Sequence, residues 1–145
     1  MVLAEGESES DLMARGLAAA AWSRWPREQA GAVADFLDGW WTRTLRTKAP
    51  PISACAVFEA CVTASSSVTP WLARWEEEMG HVARQHLADG LIRWREELVS
   101  DDSPFTWWLG TEAEEQAAWR EVKRWLAGQA RAGRWSGCRS CASGA

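Results

Sequence analysis

Twelve tryptophans and no tyrosine stand in a chain of 145 residues. A chain of this length closes one core, not two. Each indole must therefore be packed inside that core, with its N–H finding an acceptor, or be displayed for binding. The chain also holds no asparagine, and only Lys48 and Lys123 of its 16 basic residues are lysines. That pattern follows the codon bias of a high-GC genome, so arginine abundance says little about phosphate or carboxylate recognition. Apolar residues at 47% and charged residues at 25% match an ordinary globular chain, and a net charge of −4 argues against general attraction to nucleic acid.

Hydrophobic spacing divides the chain into a disordered acidic leader over residues 1–10, a single helical domain over 11–128, and a flexible basic Gly/Ser/Cys tail over 129–145. An Ala-rich helix is expected from Asp11 through Leu17 to Ala21. Pro26 then opens an amphipathic helix with apolar residues at Ala30, Val33, Leu37, Trp40 and Thr44, and with Phe36 and Trp41 widening the stripe; it must stop before Pro50-Pro51. Residues Ala54, Val57, Phe58, Cys61 and Val62 repeat at helical spacing with Glu59 as the sole formal charge, which predicts the most buried helix. Thr69-Pro70 reads as N-cap and first residue of the next helix. One further helix runs from His81 past Leu98, and Thr111-Glu112-Ala113-Glu114 matches a capping box before the last. No alternating strand pattern appears. The expected fold is all-α: an irregular bundle or HEAT-like stack of five to six short helices.

The run Trp25-Pro26-Arg27-Glu28-Gln29 through Phe36-Leu37 to Trp40-Trp41, with Thr69-Pro70-Trp71-Leu72 to Trp75, resembles a group of uncharacterised Trp-rich helical proteins of high-GC bacteria. The likeness spans residues 22–127 and consists of packing motifs. It implies a helical fold and carries no catalytic residue.

Common chemistries lack their parts. There is no Gly-Lys pair, no Gly-x-Gly-x-x-Gly and no Gly-x-Ser-x-Gly, which removes the phosphate-loop, dinucleotide and nucleophile-elbow signatures. Glu78-Met79-Gly80-His81 is a single Glu-x-x-His step where a di-iron site needs two, and His86 lies about 140° around the helix from His81. Cys138-Arg139-Ser140-Cys141 is half a zinc site with no second half in reach. Neither a metal nor any other cofactor is expected. The acidic N-terminus and the absence of a long apolar run point to a cytoplasmic protein with no transmembrane segment.

The tryptophans remain. Trp40, Trp71, Trp75, Trp94, Trp119 and Trp125 fall on apolar stripes and are expected in the core, whereas Trp22, Trp25, Trp41, Trp107 and Trp108 fit those stripes less well and are the candidate partner-binding residues. The sequence thus points to a non-enzymatic binding or assembly module with a Trp-lined surface, meeting a protein partner or a second copy of itself. One alternative is a binder of small molecules or single-stranded nucleic acid by indole stacking, with Arg131, Arg134 and Trp135 as the nucleic-acid residues. The other is an enzyme centred on Glu59.

Overall fold

The computed structural model describes residues 9–100, 102–105, 108 and 110–133. These residues form an all-α protein: α1 (Glu9–Ala20), a single 3-10 turn (Trp22–Arg24), α2 (Arg27–Arg46), α3 (Ala54–Ser65), α4 (Thr69–Glu77), α5 (His81–Arg93), α6 (Arg95–Ser100) and α7 (Glu112–Arg131). There is no strand among the described residues.

Helix α3 is the axis of the fold. Nine of its twelve residues are buried, so neighbours must cover it on almost every side. Ser53 starts it by accepting the Ala56 N–H on its hydroxyl at 3.2 Å, and Ser66 ends it in the left-handed conformation at φ 53°. Phe58, at its midpoint, is ringed by Trp41, Trp75, Trp94 and Phe105 at centroid distances of 5.6, 5.7, 5.6 and 6.4 Å. Trp41 meets Trp75 edge-on at 5.3 Å, and Trp94 meets Trp119 edge-on at 5.8 Å, the arrangement in which a positive ring edge faces a negative ring face.

Indole N–H groups fasten the helices to one another. Trp22 donates to the Ala64 carbonyl at 2.8 Å, Trp41 to Trp71 at 3.0 Å and Trp75 to Ala83 at 3.2 Å. Each of these bonds joins two elements and satisfies a polar atom that burial would otherwise strand. Helix α5 approaches α3 closely through Gly90, where an added Cβ would stand 2.6 Å from the Cys55 Sγ. Only a residue without a side chain fits there.

The structure departs from the sequence reading at five points. Helix α1 begins at Glu9, inside the expected leader; residues 1–8 lie outside the described residues. The buried face of α2 is Leu37, Trp41, Thr44 and Leu45, turned by about one residue from the stripe through Val33, Leu37 and Trp40. Trp41 wins the inner position because its N–H has the Trp71 carbonyl to reach, while Trp40 stays partly buried and stacks on exposed Phe36 at 6.0 Å. The helix expected from His81 past Leu98 is interrupted at Trp94, whose sealed indole donates to Glu59 at 2.7 Å and pins the chain between α5 and α6. Val68, not Thr69, stands at the N-cap of α4, and the Thr69 hydroxyl instead donates to Glu121 at 2.6 Å. Finally, α7 passes through Gly128 to Arg131, into the expected tail, of which residues 134–145 lie outside the described residues.

Candidate functional site

The seam between α4 and α7 is where indoles meet the surface. The α7 capping box forms as its sequence predicts: Thr111 Oγ1 accepts the Glu114 N–H at 3.1 Å and Glu114 Oε1 accepts the Thr111 N–H at 3.2 Å. That fixes the start of α7 and turns Ala118, Trp119, Val122 and Leu126 into the core. Trp125 falls beside that buried face. Its ring packs on Trp75 at 5.2 Å, and its N–H donates to Glu76 Oε1 at 3.0 Å, an oxygen that also accepts from Gln129 at 3.2 Å.

Two open hollows follow this seam. One, of about 330 Å³, is lined by Leu72, Ala73, Glu76, Arg124 and Trp125 together with Thr69 and Glu121. The other, of about 320 Å³, is lined by Val68, Trp108, Glu114, Ala117 and Ala118 and shares Thr69 and Glu121 with the first. Together they make a furrow in which Trp125 lines the first hollow and Trp108 the second, the two meeting at the Thr69–Glu121 hydrogen bond; Ser66 and Ser67 also line the second. Three carboxylates line it against one exposed cation, Arg124. Trp108 is half-buried, 6.3 Å from the Phe105 ring, and its indole N–H is buried without any acceptor.

The candidate partner-binding tryptophans separate sharply. Trp41 is 0% exposed and Trp22 is 9% exposed, so neither can anchor a partner; both are core residues whose N–H groups bond to backbone carbonyls. Trp25 is 39% exposed, with its N–H turned back to the Ala20 carbonyl at 3.1 Å. Trp108 lines the furrow, and Trp107 lies outside the described residues. Of the alternative nucleic-acid residues, Arg131 is exposed on the last turn of α7, while Arg134 and Trp135, like Cys138 and Cys141, lie outside the described residues. Trp71, Trp75, Trp94 and Trp119 are buried as expected. Trp125, expected in the core, is instead partly buried and lines the furrow. Its periodicity is that of the core, and only the distant Glu76 on α4 marks it as a margin residue.

Glu59 is held as a structural ion pair. Arg93 donates to both of its oxygens at 3.1 Å, and Trp94 adds a third donor at 2.7 Å. A carboxylate so engaged between α3 and α5 is a clamp, and it lines none of the cavities described above. The thiols of Cys55 and Cys61 are free and buried, and burial pushes both well above the ordinary thiol range, first by desolvation and then by nearby Glu59 and Asp38 respectively. They are protonated and poor nucleophiles. His86, 4% exposed, has its Nε2 2.8 Å from the Thr47 carbonyl at the end of α2. Glu78, the first residue of the Glu-x-x-His step, is engaged by Arg46 through two 2.8 Å bonds and is held below the usual carboxylate range chiefly by that hydrogen bonding. Among the described residues, no group of three or more His, Cys, Asp or Glu is placed to hold a metal ion.

No protein-family model matches the chain, and neither a curated protein nor a solved structure matches it. No helix among the described residues is long and apolar enough to cross a membrane.

Proposed function

We propose that the protein is a non-enzymatic helical binding module, and that it takes a peptide segment of a partner protein into the α4–α7 furrow. The observation that carries this reading is the pair of half-buried indoles, Trp108 and Trp125, one in each hollow of a furrow lined also by Glu76, Glu114 and Glu121. Large rings at low conformational cost are the usual anchors of protein recognition. The carboxylates select the charge of the occupant: a segment that places an apolar residue on the floor and arginine or lysine at the margins. A second copy of the chain, itself carrying a net charge of −4, is the less complementary occupant. Free thiols at Cys55 and Cys61 fit a reducing compartment, and we take the cytoplasm as the setting.

The test is selection from a random-peptide library against the wild-type chain, followed by binding measurements on Trp125→Ala and Ala73→Arg. Ala73 is exposed on the furrow wall, so arginine there fills the hollow and reverses its charge preference without entering the core. Enriched peptides should combine basic residues with an apolar anchor and should lose at least tenfold in affinity on both variants. Peptides without that bias, or binding indifferent to both substitutions, would contradict the reading; concentration-dependent dimerisation abolished by Ala73→Arg would replace the peptide with a second copy.

A further inference from the structure

A second cavity, of about 370 Å³, lies on another part of the molecule, between the α2–α3 connection, the start of α3 and one face of α5. We propose that it is a binding site for a small zwitterion of the free amino acid class, with its carboxylate at the start of α3 and its ammonium group at α5.

The carboxylate half is built by the backbone. Ser53 caps α3 through the Ala56 N–H, and the Val57 N–H bonds to the Ser53 carbonyl, which leaves the Ala54 and Cys55 N–H groups with no acceptor among the described residues. Both residues are buried, at 2% and 3% exposure, and both line the cavity, which is the space from which an acceptor can reach them. The first turn of α3 carries no acidic side chain to take those donors, and the positive end of the helix dipole points to the same place. The Lys48 ammonium, on the same cavity wall, adds a mobile positive charge.

The ammonium half is built by side chains on one face of α5, where His86, Asp89 and Arg93 follow at three-and-four spacing. Asp89 supplies an exposed carboxylate. His86 stands beside it: its Nε2 faces the Thr47 carbonyl, which can only accept, so Nε2 is the donor there and Nδ1 is the ring atom left to meet a ligand. That nitrogen has no partner among the described residues, on a side chain only 4% exposed that lines the cavity. A simple anion would satisfy the α3 donors while meeting Asp89 with like charge and leaving Nδ1 unused. A simple amine would do the reverse. One molecule carrying both groups satisfies both halves, and arginine at position 93, clamped to Glu59, closes the wall.

The probes are the individual L-amino acids at millimolar concentration, each set against its des-amino carboxylic acid and its decarboxylated amine. Binding is read by thermal shift and by calorimetry on wild type, Asp89→Asn and Lys48→Met. At least one amino acid should raise the melting temperature and bind at least tenfold more tightly than both of its truncated analogues. Asp89→Asn should lose that preference over the carboxylic acid, and Lys48→Met that over the amine, with the unliganded melting temperature little changed because both residues sit at the surface. Equal binding of an amino acid and its des-amino acid to wild type would overturn the zwitterion assignment. No binding by any of the probes, with the variants folded, would overturn the site itself.

Discussion

The shell around Phe58 and the seam between α4 and α7 are made from the same residue type and behave as opposites. Around Phe58 the indoles are sealed, and two of them, Trp41 and Trp75, donate to backbone carbonyls that the fold cannot withdraw, as Trp22 does near the end of α3. At the seam the Trp125 N–H goes to a side-chain carboxylate, Glu76, and the Trp108 N–H goes to no acceptor at all. Where a ring is sealed, a bond to backbone adds to its fixing; neither Trp125 nor Trp108 at the seam has such a tie. The acceptor alone does not decide burial: sealed Trp94 donates to the Glu59 carboxylate at 2.7 Å, exposed Trp25 donates to the Ala20 carbonyl at 3.1 Å, and Trp119, 0% exposed with an unpartnered N–H, is held by edge-on packing with Trp94 and Phe105.

The largest effect that would break the contrast is at Trp75, which touches Trp41, Phe58 and Trp125. Trp75→Ala should cost about 3–5 kcal/mol in urea denaturation, whereas Trp125→Ala, at the margin, should cost about 1 kcal/mol. Equal losses would erase the distinction between core and margin. Next comes the α3–α5 contact: Gly90→Ala should cost about 1–3 kcal/mol because the new methyl collides with the Cys55 sulfur. Adding Cys55→Ala to it should recover part of that loss, a coupling that a double-mutant cycle reads directly.

Smaller still is a kinetic effect in the core. Cys61 is 0% exposed and its thiol is pushed up by burial, so in a Cys138→Ser/Cys141→Ser background its alkylation should be limited by opening of the fold and should accelerate with urea. The smallest effect lies at the surface pair Arg46–Glu78. Because Arg46 depresses the Glu78 carboxyl in the folded state, the pair stabilises above the ordinary carboxylate range, and that contribution is lost as the pH falls through this range towards the depressed value. The gap in melting temperature between wild type and Glu78→Gln should therefore narrow in acid.

Much of this division was legible from the sequence, and its errors at Thr69, Trp41 and Trp125 have one cause. Local signals held wherever the partner of a residue lies within a few positions: the capping box at Thr111, the prolines bounding α2, and the apolar run of α3. They failed where a distant residue decides. Thr69 looks like an N-cap but is 52 positions from the glutamate it bonds, Trp41 is drawn inwards by a carbonyl 30 positions away, and Trp125 is marked as marginal by a glutamate 49 positions away. Periodicity fixes a helix's buried side only to within about one residue, or 100°. For an indole, that is the difference between core and surface. The α3–α5 cavity was invisible for the same reason, since Ala54, His86 and Lys48 come together only in three dimensions.

The indole N–H region of a two-dimensional ¹⁵N–¹H spectrum tests the division most directly, because every tryptophan contributes its own signal. On titration with a basic, apolar peptide selected against the furrow, the Trp125 and Trp108 signals should shift together, while those of Trp41, Trp75 and Trp22, tied to backbone carbonyls, stay in place. Shifts confined to Trp25, or spread evenly over the buried indoles, would contradict the assignment of the α4–α7 seam as the recognition surface.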